Sequence, residues 1–499
     1  MPDPTLQPAV PSFGTAHLFI NGRIERGRGP TFPVVCPFSG ATLLDLATAD
    51  AGQIEAALQA ARSSFDAGVW RLQSGEARGA VLDGIADRLA ARLEDLAERV
   101  VFDNGKTLPE ARIDVYAAVG AFRYGARCAR EQAAMVPAEE RGVHKEVWRE
   151  PVGVVVALTP FNAPLLFTAL KCAPALAAGN SVILKPSERA PLLPLAVFEA
   201  ALDAGVPAGV LNLLHGGTDV AAQLCDDPRT DMITLTGGSP AGTAVMRAAA
   251  PRIKRLLLEL GGKSPHIILA DADIESAIPA IAAGIFRNSG QRCFSGSRLI
   301  VDESVADAVE DGVARFAESL VVGNPFDPGT QIGAMVDRVA IEQVEAFVAR
   351  ATADGLTVRA GGRRVAELSP GCFYRPTLLT GARADSWAAQ TEIFGPVLTS
   401  IRVRGVDEAI AVANATDFGL AGGVWTRSPE TARLVASRVR CGYFWVNTYG
   451  AIFGDMPFGG YGRSGLGRES GPWGYEAYTE LKSVLMDPSG GSSAPLFVR

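Results

Sequence analysis

Between residues 154 and 260, five short apolar runs recur: VVVAL (154–158), SVILK (181–185), VLNLL (210–214), MITLT (232–236) and RLLLEL (255–260). Ala-rich segments of helical character separate them. This rhythm predicts an α/β fold with a parallel, doubly wound, Rossmann-like sheet, because parallel neighbours need a crossover and the usual crossover is a helix. After Gly261–Gly262 a second alternation starts, with HIIL (266–269), a helix over 273–288, RLIVD (298–302) and an amphipathic helix over 303–320. A boundary near 261 is therefore expected. Residues 50–133 instead place apolar side chains at three- and four-residue steps, helix after helix, and turn β-rich at about 143. With 499 residues and 48% hydrophobic composition, the chain has material for more than one core.

Several function classes are excluded at this level. The formal net charge is −7, with Lys and Arg dispersed, so neither a nucleic-acid face nor a membrane-surface helix is expected. The uncharged stretch 151–170 is broken by Pro160, Asn162 and Pro164, which reads as strand, turn and helix start rather than a membrane span. Seven scattered cysteines without CxxC or metal-ligand spacing fit reduced thiols in the cytoplasm and no metal site. The N-terminus lacks a basic n-region before an apolar core, so no secretory signal is expected. The Gly/Ser/Pro-rich tail after 486 is expected to fray or pack on a partner.

Ligands of doubly wound sheets bind beyond the carboxyl ends of the strands. Two such ends look prepared. In VILKPSE, Lys185 ends a strand and Glu188 follows around a proline-set turn, suited to a ribose diol or simply to a surface ion pair. In TLTGGSPAGTAV, Gly237 and Gly238 precede Ser239, a natural N-cap, and Pro240, a natural first helical residue. A helix start behind two glycines is an anion site. The literal G-x-G-x-x-G at 460–465 is rejected, because too little chain follows to build the rest of a dinucleotide unit.

The segment NSGQRCFSGSR (288–298) places Cys293 in a polar, donor-rich turn, a setting that favours a thiolate more than a packed structural cysteine does. A plain loop cysteine is the competing reading. Glu259 ends a strand among leucines; burial there would raise its pKa and make it a general base, or it is a structural acid. Asn162, on the TPFNAP turn, suits an oxyanion donor or a turn-former. Glu392 in QTEIFGPVL is a second ribose acceptor or an ordinary loop charge. His215 and His266 both border strands and are expected to be structural.

The motifs TPFNAPL, LKPSE, TLTGG, LELGGKSP, GQRC, EIFGPV and PFGGYGRSGLGRE occur in an order and spacing that resemble the aldehyde dehydrogenase superfamily, over about residues 18–486. The resemblance implies that Cys293 is the nucleophile and Glu259 the base that activates the hydrolytic water. It implies an oxyanion hole from Asn162 and the Cys293 N–H, with Lys171 near the active site. Thr159, Pro160, Phe161, Lys185, Ser187, Glu188, Gly237, Gly238, Glu392 and Phe394 would border NAD, with NADP also tolerated. It further implies domains at 1–133 with 152–261 (dinucleotide-binding) and 262–478 (catalytic). A β flap and tail at 134–151 with 479–499 would join a homodimer or homotetramer.

The expected reaction is oxidation of a small-molecule aldehyde to its acid through a thiohemiacetal and thioester. Departures from the family pattern are Phe161 where Trp is usual, Gly238 for a common Ser, and Ala163 and Leu170 where large aromatics line the substrate tunnel. The last two imply a roomier tunnel, kept apolar by Phe167, Phe294, Ile452 and Phe458, with Asp455 near its mouth. Three alternatives are an acyl transfer to coenzyme A, which the presence of Glu259 opposes, a cysteine hydrolase using His215 or His266, and a non-catalytic relative.

Overall fold

The five apolar runs form Val154–Thr159, Ser181–Pro186, Leu211–Leu213, Met232–Thr236 and Arg255–Glu259, all parallel where they pair. The computed structural model describes residues 8–15, 17–131, 138–140 and 143–488. In space the first strand is central, with the second and third on one side and the fourth and fifth on the other. The sheet is thus doubly wound, and its switch point lies between Val154–Thr159 and Met232–Thr236, where Leu158 pairs with Leu235. All six residues of Val154–Thr159 are buried, as a strand covered on both faces must be. Helices Gly75–Ala91, Leu108–Glu131 and Pro164–Ala178 pack together on one face of the sheet. Ala51–Ala67 packs on the other, beneath a second apolar cluster that includes Ile54, Leu58 and Ile183.

One part of this sheet was not expected. Leu18–Ile20 and Arg23–Glu25 extend it as an antiparallel hairpin beyond Leu211–Leu213. Asn21 and Gly22 make the turn at φ 50 and 77, the paired positive φ that a tight two-residue hairpin needs. A second hairpin, Thr31–Val35 with Thr42–Ala47, also precedes the helices.

After Gly262 a seven-stranded sheet forms around Pro265–Ile268 and Arg298–Asp302, which pair in parallel. It continues through Val397–Val403 and Thr377–Thr380 on one side and Ala421–Trp425 and Tyr443–Val446 on the other. Only the edge strand Thr357–Ala360 runs antiparallel. The expected helices appear as Ile274–Phe286, ending in a short 3-10 turn at Arg287–Gly290, and Ala306–Ser319. A separate three-stranded sheet pairs Thr479–Met486 with Val143–Pro151, and that strand with Ala138–Glu140. The expected tail from 489 onward, and 134–137 with 141–142 of the expected flap, lie outside the described residues. No helix among the described residues is long and apolar enough to cross a membrane.

Candidate active site

Glu259 ends the fifth strand and Gly261–Gly262 lead straight into the second sheet, so three candidate groups meet around one tripeptide. Gly262 N–H donates to Glu392 Oε1 at 3.1 Å. A Cβ on Gly261 would overlap the Glu392 carboxylate, and one on Gly262 would stand 2.8 Å from the Cys293 carbonyl oxygen. The two glycines are the clearance that lets nucleophile and carboxylates converge. A narrow cleft opens there, lined by Cys293, Arg292, Glu392, Phe394 and Gly262 among others.

The nucleophile loop is held in an unusual backbone. Asn288, Ser289 and Gly290 run at φ 51, 51 and 72, three left-handed residues in succession. Their side chains anchor the turn: Ser289 Oγ donates to Gly333 O at 2.9 Å and Asn288 Nδ2 to Asn162 O at 3.0 Å. Gln291 accepts from Val336 N–H at 3.0 Å.

The polar surroundings do not favour the thiolate, contrary to the expectation from sequence. Burial pushes the Cys293 thiol up to about 12, Glu259 and Glu392 push the same way, and Arg292 opposes them weakly. The Asn288 and Ser289 donors go to backbone carbonyls instead of to the sulfur, and a thiol so raised needs a base. Glu259 has the properties of one. It is 3% exposed, and neither carboxylate oxygen has a hydrogen-bond partner among the described residues. Burial raises its pKa well above the usual carboxylate range, Glu469 adds to this, and Lys171 and Arg468 oppose it.

Asn162 is buried on the turn after Val154–Thr159, and its Nδ2 donates to Gln291 O at 2.9 Å, two residues before Cys293. One amide hydrogen then remains for a substrate oxygen. Lys171, on Pro164–Ala178, is fully buried and ion-paired with Glu469. On the same helix Ala163, Phe167 and Leu170 fall at helical spacing on the half-exposed face, while Leu165, Thr168 and Ala169 are buried. Phe294 and Phe458 pack edge to face at 6.0 Å. Ile452 is 41% exposed on the surface loop that also carries Asp455.

The nucleotide candidates sit at the strand ends flanking the switch point. Lys185 Nζ donates to Glu188 Oε1 at 2.8 Å, with Ser187 half-buried between them. Helix Ser239–Ala249 begins one residue earlier than expected: Gly238 is the N-cap, and the Ser239 hydroxyl turns to Arg463 O at 3.3 Å. With no side-chain cap, the first N–H groups of that helix stay available to an anion. Thr159 Oγ1 and Thr236 Oγ1, at the ends of the two switch-point strands, are buried without a protein partner among the described residues. Together with the Lys185–Glu188 pair, these orphaned hydroxyls fit a dinucleotide laid across the crevice. Pro160 and Phe161 continue the turn, and Phe161 meets Phe394 edge to face at 5.6 Å. Burial lifts Glu392 to about 7, which the Gly262 N–H and Lys263 oppose.

Sequence reasoning missed the groups that brace the site from afar. Lys106 Nζ donates to Asn162 O at 2.8 Å and pairs with buried Asp114 at 3.5 Å; Asn104 Nδ2 donates to Phe161 O at 2.8 Å. The signal available was the compact NGKT run at 104–107. Glu469, the last residue of PFGGYGRSGLGRE, carried no signal of its own beyond that motif. The glycine-rich match at 460–465 serves the base instead of a nucleotide. Gly465 pairs with Glu259 across antiparallel strands, and a Cβ on Gly459 would stand 2.6 Å from Glu259 Oε1. The histidine readings fall away. His266 and His215 are buried, burial drives both down to about 3, and His266 Nε2 accepts from Trp425 Nε1 at 2.8 Å.

A doubly wound sheet whose crevice adjoins a cysteine and a desolvated carboxylate defines a nucleotide-dependent enzyme with a covalent step. The model of the aldehyde dehydrogenase family matches residues 24–484. The chain is 38% identical over 472 residues to a betaine aldehyde dehydrogenase of Bacillus subtilis, covering 94% of this chain and 96% of that protein. Its structure is similar to an NAD-dependent aldehyde dehydrogenase from Sinorhizobium meliloti, with TM-score 0.94, 36% identity, and 100% and 98% of the two chains covered. It is also similar to a betaine aldehyde dehydrogenase from Staphylococcus aureus in complex with NAD+, with TM-score 0.93, 33% identity, and 97% and 96% covered. This chain belongs to the aldehyde dehydrogenase family.

Proposed function

We propose that this chain oxidises an aldehyde to its carboxylic acid with NAD, through a covalent adduct on Cys293. The observation that carries the reading is the convergence of Glu392 and Cys293 on Gly261–Gly262, directly after Glu259. Lys185 and Glu188 would hold the adenosine ribose, Gly237 and Gly238 the pyrophosphate, and Glu392 the second ribose with Phe394 beside it. A nicotinamide bound there would supply a hydride acceptor beside the adduct on Cys293. Glu259, whose pKa burial raises, takes the thiol proton directly or through water. The Asn162 amide and the Cys293 N–H receive the oxyanion. Glu259 passes the thiol proton to solvent and, ionised again, deprotonates the water that releases the acid.

Glu188 accepts from a free 2′-hydroxyl and repels a 2′-phosphate, which supports NAD over NADP. Ala163 and Leu170, small where the family pattern has large aromatics, support a substrate larger than acetaldehyde. The domain limits are proposed at 1–133 with 152–261 and at 262–478, with Gly465–Leu466 reaching back to pair with the first sheet. We assign self-association to the three-stranded sheet, whose Leu481 and Leu485 are each 67% exposed. A cytoplasmic location is supported by seven cysteines that are all unpaired.

The test is an aldehyde panel with NAD, followed by reduced-nicotinamide absorbance and acid analysis. Oxidation that is lost in Cys293→Ala supports the reading. Aldehyde-dependent acyl release without any reduction of NAD overturns it.

A further inference from the structure

Arg292 precedes the nucleophile and has no part in the aldehyde oxidation proposed for Cys293 and Glu259. Its guanidinium lies 4.3 Å over the ring of Phe294. One N–H donates to Ala283 O at 3.2 Å, the single hydrogen bond of its five-donor fork among the described residues. Nη2 stands 2.9 Å from where a Cβ on Gly450 would be, so that glycine leaves the fork uncovered.

No carboxylate among the described residues answers this charge. The carboxylate whose charge acts on it is Glu110, whose Oε2 already accepts from the Thr107 N–H and hydroxyl and whose Oε1 accepts from Asn288 N–H. Exposed Arg287 adds a second positive charge nearby. Several other arginines do have a carboxylate partner. Arg189 pairs with Asp337, Arg364 with Glu345, and Arg229 with Glu55 and Asp227. The deeply buried Arg298 donates to three backbone carbonyls, those of Lys263, Val412 and Ala413. Burial lowers Arg292 to about 10, so at neutral pH it is a partly desolvated cation without a counter-ion. Such a group costs stability unless a ligand supplies the opposite charge.

We propose that Arg292 receives a carboxylate at the far end of the aldehyde, so that the preferred substrates are semialdehydes. The proposal rests on the reading that Cys293 attacks an aldehyde, and adds the substrate class. Arg292 lines the same cleft as Cys293. Stacking on Phe294 orients the planar fork, which suits bidentate pairing with a carboxylate. A single fork, with no helix start beside it, suits a carboxylate better than a phosphate.

The experiment measures kcat/KM with NAD for succinic, glutaric and adipic semialdehydes against butanal, pentanal and hexanal, with glyceraldehyde 3-phosphate as a further arm. The best semialdehyde should exceed its neutral match by roughly tenfold to a hundredfold, the worth of a charged hydrogen-bonded contact. Arg292→Gln should bring that ratio toward one, Arg292→Lys should keep part of it, and free glutarate should inhibit the unaltered enzyme competitively against aldehyde. Because the ratio is the readout, a general loss from a displaced Cys293 does not imitate the effect, and glutarate inhibition tests the site without any variant. Equal efficiency on charged and neutral aldehydes, preference for the phosphate, or an unchanged ratio in Arg292→Gln overturns the proposal alone. Failure to oxidise every aldehyde overturns instead the reading on which it rests.

Discussion

Glu259→Gln separates the two halves of the reaction. The substitution keeps size and removes a carboxylate whose oxygens make no hydrogen bond among the described residues, so no structural bond is lost with it. The folded-state pKa of Glu259 is raised, so its ionised form costs stability at pH above that value, and the cost vanishes below the unfolded carboxylate range. The variant should therefore unfold at a temperature no lower than the parent, with any gain growing as pH rises. Two opposing effects act on Cys293. The thiol loses its base, yet it also loses one of the negative charges that push it toward 12. A burst of up to one reduced nicotinamide per active site should survive, slower at neutral pH and faster as pH rises. Steady turnover has no such compensation, because the thioester still needs its water activated. It should fall by about 10²- to 10⁴-fold, the range for a lost general base. Rapid-mixing absorbance reads burst and steady phases together, and mass spectrometry should find the acyl group on Cys293. Normal steady turnover of Glu259→Gln with water as acceptor would refute the assignment and leave Glu259 as a structural acid.

Other outcomes follow from the same geometry. NAD should outperform NADP in kcat/KM, and Glu188→Gln should narrow the gap by removing the repulsion of a 2′-phosphate; a parent that prefers NADP would show Glu188 to be misplaced. Ala163→Phe should penalise bulky aldehydes more than small ones, measured as a shift in relative kcat/KM, whereas a parent that prefers acetaldehyde contradicts the roomy tunnel. Burial lifts Glu392 to about 7, so its carboxyl is neutral below that pH and ionised above it. The KM for NAD should accordingly fall as pH rises through that value, and in Glu392→Gln this dependence should flatten.

Much of the fold was legible because its signals are local. Strands such as Val154–Thr159 are buried on both faces and read as unbroken apolar runs. The hairpin at Leu18–Glu25 is faint in the sequence because three-residue strands carry little pattern, although Asn21–Gly22 marks the turn. Ala421–Trp425, AGGVW, carries two glycines and little strand pattern. It is a buried strand because the Tyr449 ring lies where a Gly423 side chain would go, 3.0 Å from that Cβ position. Long-range packing decided the element against its local composition.

The chemical groups were legible for the same reason, and their supports were not. Cys293, Glu259, Asn162 and Glu392 each sit in a short run whose residue types suit their chemistry. What holds them comes from residues 104–114, 333–336 and 459–469, distant in sequence and joined only by folding. The polar run around Cys293 shows how the two differ. Its composition suggested a field that ionises the thiol, but Ser289 and Asn288 spend their donors on the carbonyls of Gly333 and Asn162. Two of the three left-handed residues there are not glycine, so backbone strain is held by those bonds. The polarity fixes the position of the sulfur, and burial sets its protonation against the thiolate. On the proposed reading, activation comes from Glu259 on the other sheet, and the Gly261–Gly262 junction between the sheets then belongs to the chemistry as well as to the fold.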